Sequence, residues 1–162
     1  MKYQRKAFTM IELIFVIVIL GILSSVAISK MAVTRDDAEL VKGRAQVAGI
    51  RNAITLLRNT NMLQAMGAKW PDKLDALAGN ANNGEALFGY DTDDGNLSKK
   101  LLDYPLYAKN SNGHWKKVAN NRYAYRVMNI DVNFTYTTAS GQFDCKHGAA
   151  NNAEKYCKAL TE

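Results

Sequence analysis

The chain has 162 residues and 48% apolar content, enough for one domain with a modest core and too apolar for a disordered chain. Its net charge is +6, but Lys2, Arg5 and Lys6 supply half of it, and the residues after position 7 carry 18 basic against 15 acidic groups. That balance excludes a body built as a strongly basic nucleic-acid binder.

Residues 13–28 carry no charge. As a helix they span about 24 Å, and Phe8, Met10 and Ile11 extend the run towards the roughly 30 Å of a hydrocarbon core. Basic residues precede it, so the N-terminus is expected in the cytoplasm and the rest of the chain outside. A secretory signal with Ser25, Val26 and Ala27 as its small-residue cut site fits this pattern. So does a plain membrane anchor. Neither explains Glu12, because a carboxylate near the centre of a spanning helix costs about 2.5–3.5 kcal/mol.

The stretch KAFTMIEL followed by an apolar helix resembles the start of type IV prepilins and of the pseudopilins of type II secretion. In that family a short basic leader is removed before an aromatic residue, the new amine is N-methylated, and a glutamate stands fifth in the mature chain. The resemblance implies a cut between Ala7 and Phe8, methylation of Phe8, and Glu12 in the fifth position. Gly21 matches the helix glycine. Ala7 stands where the family usually has glycine, and Ser29 where many members have proline. Glu12 then has a partner, since a buried amine and a buried carboxylate offset one another, and Phe8 and Glu12 of one chain could pair directly. The family implies that the pair forms between neighbouring chains and sets the register of a filament.

Leu40, Gly43, Val47, Ile50, Ile54 and Leu57 recur at spacings of three and four, so one helix is expected over residues 8–64, with its second half amphipathic. Arg35, Arg44, Arg51 and Arg58 fall on its other faces. Gly67 is the expected stop and Pro71 lies beyond it. Residues 67–112 are turn-rich, with short helices expected at 72–77 and 98–102. Strand patterns follow at 115–118, 122–128 and 132–138, with a fourth at 141–145. Tyr123, Tyr125 and Val127 alternate with Arg122, Ala124 and Arg126, which leaves one face to bury. The expected fold class is α+β: a long N-terminal helix with an apolar first half, packed on a small antiparallel sheet. The family resemblance implies the same architecture. The expected organisation is a leader at 1–7, an apolar helix at 8–29, an amphipathic half at 30–66 and an exported head at 67–162.

Cys145 and Cys157 suggest one disulfide in an exported chain, closing a loop worth about 3 kcal/mol. Pilins commonly carry such a C-terminal bridge. His147 with the two cysteines is a sparse alternative metal set. Asp91, Asp93 and Asp94 crowd a glycine turn and offer oxygen ligands for Ca²⁺, as in the calcium loop of G-type pseudopilins. Lys116, Lys117, Arg122 and Arg126, interleaved with Trp115, Tyr123 and Tyr125, form a basic-aromatic pattern of the kind that tracks nucleic acid. Packing between identical subunits of complementary charge is the competing reading. No metalloprotease, nucleophile-elbow or phosphate-loop motif occurs, so an enzyme is not expected.

Together these imply a structural subunit of a type IV-related filament, of the type II secretion or transformation kind. The implied partners are further pilins, a prepilin peptidase, an assembly ATPase, a platform protein and the bacterial inner membrane. The head would be periplasmic, later part of a periplasmic or surface filament. A DNA-binding minor pilin and a membrane-anchored exported enzyme are the alternatives.

Overall fold

The computed structural model describes residues 8–65, 67–89, 101–148 and 150–162, and leaves the side chains of 29–34 undescribed. Two compact units divide after Asp37. Helix α1, Met10–Leu63, runs through both. The order then continues with β1 (Ala86–Leu87), β2 (Leu106–Tyr107), β3 (Trp115–Ala119), β4 (Arg122–Val127), β5 (Ile130–Thr137), β6 (Gln142–Cys145) and α2 (Asn152–Thr161).

In the first unit, Met10–Ile28 is long and apolar enough to cross a membrane, and none of it is buried. The helix passes Gly21, Ser24 and Ser25 without a break. Ser24 Oγ donates to Leu20 O and Ser25 Oγ to Ile22 O, so the hydroxyls are satisfied within the helix.

In the second unit, β3-β4-β5-β6 form an antiparallel meander. As expected of β4, Tyr123, Tyr125 and Val127 face inward with Trp115, Val132, Phe134, Tyr136 and Phe143, and Ala124 between them is buried as well. Val47, Ile50, Ile54 and Leu57 of α1 are buried in the same cluster. Phe88, Trp115, Tyr123, Phe134 and Phe143 meet ring to ring, with centroids 4.5–5.9 Å apart. At Gly43 a Cβ would stand 2.4 Å from Tyr125 Cε1 and 2.6 Å from Leu160 Cδ2, so only glycine permits this approach. Tyr125 donates its hydroxyl to Glu39 O, and burial, with the Glu39 charge, pushes its phenol up to about 12.

Neighbouring groups satisfy part of the backbone along each edge of the meander. Ala81 N–H donates to Lys117 O and Lys109 N–H to Trp115 O along β3. Arg51 Nε donates to Phe143 O along β6. Three of the helical arginines thus serve the head: besides Arg51, Arg44 reaches Ala159 O, and Arg58 stacks 4.3 Å from the Trp70 ring centroid.

Four local expectations change. Residues 72–77 form bends rather than a helix, because Asp75 is drawn into the core and Tyr136 Oη donates to Pro71 O. Of the helix expected at 98–102, residues 98–100 lie outside the described residues, and 101–102 form bends. The long helix ends at Leu63, with Ala65 rather than Gly67 taking the first positive φ, 57°. The β4–β5 turn centres on Met128 and Asn129, both at positive φ, and Ile130 and Asp131 belong to the strand.

Candidate functional site

The N-terminal motif is built by helix capping. Thr9 precedes α1 and its Oγ1 accepts the Glu12 N–H at 3.3 Å. The Glu12 carboxylate accepts the Thr9 N–H and the Thr9 hydroxyl, each at 3.0 Å. This reciprocal pair is a capping box, which satisfies two of the helix's orphan donors. Glu12 therefore has a local partner, and its carboxylate is held one helical turn from the exposed Phe8. The T-x-x-E spacing before an apolar run is the sequence signal for this box. Ala7 lies outside the described residues.

Residues 2–28 match the family model of the prokaryotic N-terminal methylation motif. The match supports a type IV pilin-like, prepilin-processed structural subunit, and with the apolar helix it fits membrane anchoring. No curated protein and no solved structure matches the chain.

At the other end, Cys145 and Cys157 form a disulfide with Cα atoms 5.8 Å apart. It ties α2 to β6 and leaves no free thiol. The helix it holds was not anticipated. Asn151 caps α2 by accepting the Glu154 N–H at 3.0 Å, while the Glu154 carboxylate takes the Ala150 N–H at 3.0 Å and Lys146 Nζ at 3.1 Å. The lysine and the amide hold the Glu154 carboxyl below its ordinary range. Asn151 and Glu154 repeat the capping-box spacing, and Cys157 and Leu160 supply the buried face.

The basic-aromatic pattern is taken apart by the fold. Trp115, Tyr123 and Tyr125 are in the core, so they offer no stacking platform. Lys117 is 4% exposed, ion-paired with Asp75 at 2.6 Å and bonded to Leu77 O. Tyr123 Oη donates to the other Asp75 oxygen at 2.7 Å, and the Leu77 N–H donates to Asp75 as well. Burial, then the Asp75 charge, drives the Tyr123 phenol far up, which keeps it a donor. Lys116 and Arg126 both bind Asp131 on the outer face of the sheet. Burial raises the Asp131 carboxyl, but the hydrogen bonds and charges of Arg126 and Lys116 outweigh it and hold the group low. Arg122 is exposed. Three of the four candidate cations are therefore ion-paired within the head, Lys117 in its interior and Lys116 and Arg126 on the outer face of the sheet. Asp91, Asp93 and Asp94, the candidate Ca²⁺ ligands, lie outside the described residues.

Proposed function

We propose that this chain is a pseudopilin-like subunit of a type IV-related filament that serves type II secretion or a transformation apparatus. It enters the inner membrane with its N-terminus cytoplasmic and its head periplasmic. A prepilin peptidase cuts it after Ala7, Phe8 is N-methylated, and the chain joins further pilins with the help of an assembly ATPase and a platform protein. The carrying observation is the methylation-motif match over residues 2–28, which takes in an apolar helix segment with no buried side chain. Such a surface is stable only in lipid or against other helices.

Glu12 carries two roles in this account: it caps α1 in each chain and pairs with the Phe8 amine of a neighbour. Glu12→Ala removes both. Glu12→Gln keeps a capping side chain and removes the charge. Both variants should be inserted and processed as the parent is, and both should lose assembled polymer at least about tenfold, since a buried charge left without its partner costs several kcal/mol. Polymer at parental level from Glu12→Gln, measured by shearing and sedimentation, would refute the pairing role.

A further inference from the structure

The end of β6 and the middle of α2 bring together four side chains of metal-ligating type. Asp144, Cys145, His147 and Cys157 each place a donor atom within 4.8 Å of every other. The two sulfurs are joined in the oxidised chain. The carboxylate and the imidazole already face one another, with His147 Nε2 3.1 Å from Asp144 Oδ1. Two zinc ligands at about 2.0 Å in a tetrahedron stand about 3.3 Å apart, so this edge needs little change. The sulfurs would have to separate to about 3.7 Å, from Zn–S bonds of about 2.3 Å. A cleft of about 210 Å³ lined by Cys145, Cys157, Asn151 and Glu154 adjoins them and gives room for that step.

We propose that the reduced form of this site holds one Zn²⁺ through Cys145 Sγ, Cys157 Sγ, His147 Nε2 and Asp144 Oδ1. A dithiol supplies two electrons and two protons to the Cys145–Cys157 bond and is itself oxidised to a disulfide. Zinc binding then releases the two thiol protons to water. The ion ties the same strand to the same helix as the disulfide does, so the head keeps its C-terminal cross-link in a reducing setting.

The surroundings suit a closed structural site. Two thiolates and a carboxylate around Zn²⁺ leave one net negative charge, and Arg51 stands 2.9 Å from Asp144 Oδ1 to offset it. Arg51 also donates to Phe143 O, which fixes it against the backbone beside the ligand. Such outer partners set ligand geometry in protein zinc sites.

The test uses the full chain in detergent. It is reduced with a phosphine, which becomes the phosphine oxide with water as oxygen source, and then passed free of reagent under argon. One equivalent of ZnCl₂ is added, and retained zinc and reactive thiols are measured after gel filtration. The reduced parent should keep about one zinc per chain with both thiols protected, and the oxidised parent should keep none. His147→Ala changes an exposed side chain and Asp144→Asn keeps shape, so both should fold, and each should weaken zinc retention at least about tenfold. Equal zinc on the reduced and oxidised parent would overturn the proposal. So would a His147→Ala chain that holds zinc as tightly as the parent, which would show adventitious thiol binding.

Discussion

The two units of this chain use apolar surface in opposite ways. Met10–Ile28 exposes every apolar side chain it has. From Ala38 onward, the helix buries a stripe of Val47, Ile50, Ile54 and Leu57 in the head. One continuous helix thus carries two hydrophobic faces, one closed by its own sheet and one left for lipid or for other subunits. The lesson concerns stability: what holds the head folded should be independent of what the first unit contacts.

Substitutions can break or sharpen that contrast. The largest loss is expected at Lys117→Met, which strands the buried Asp75 carboxylate. About 3–5 kcal/mol should disappear from the head, read by tryptophan fluorescence in denaturant. Asp75→Asn combined with it should recover part of that loss, because no lone charge remains. Next comes Gly43→Ala, whose new methyl meets Tyr125 and Leu160 and should cost about 1–3 kcal/mol by the same assay.

Acidification gives a smaller effect. Asp131, Asp144 and Glu154 are all held below the ordinary carboxylate range. At Asp144, burial raises the carboxyl, and the Cys145 N–H, His147 and Arg51 outweigh it. A depressed folded value means that the stability is complete above the unfolded value of about 4 and drains away as pH falls through the folded values. Denaturation midpoints should therefore hold steady from pH 7 to about 5 and fall below about 4. Asp131→Asn should flatten that fall and cost about 1 kcal/mol at neutral pH, after screening by solvent. A midpoint that rises on acidification would contradict this assignment.

The smallest effect on the head is expected from Ile17→Lys. Ile17 is exposed and belongs to the first unit, so the denaturation midpoint of the head should change by less than about 0.5 kcal/mol. Membrane insertion should suffer instead, by about 2.5–3.5 kcal/mol. A head destabilised by this change would erase the contrast between the units.

Much of this architecture is legible in the residues. Aromatic and β-branched content marks the first three strands of the meander within a residue or two, the short fourth is suggested at 141–145, and the three-four spacing marks the buried stripe of α1. The disulfide is suggested by the two cysteines lying twelve residues apart near the C-terminus. Other features need the fold. Asp75 and Lys117 are 42 residues apart, and nothing local signals that one will be buried with the other. That pair also turned 72–77 from a helix into a bend, a tertiary contact overriding local propensity. Strands β1 and β2 have two residues each, too few for any period. Helix α2 was readable from Asn151, Glu154, Cys157 and Leu160, but ten residues make a weak periodic signal, and their stability comes from the disulfide and the core. The Thr9–Glu12 box likewise rests on a short spacing, in which a glutamate of the matched methylation motif performs an ordinary capping task.

The central claim is that this chain is trimmed after Ala7 and methylated at Phe8. Mass spectrometry of the N-terminal peptide from the membrane-extracted protein tests it directly. The account predicts a mature chain beginning with methylated Phe8. A chain that keeps Met1, or one that begins at Ile28, would contradict it.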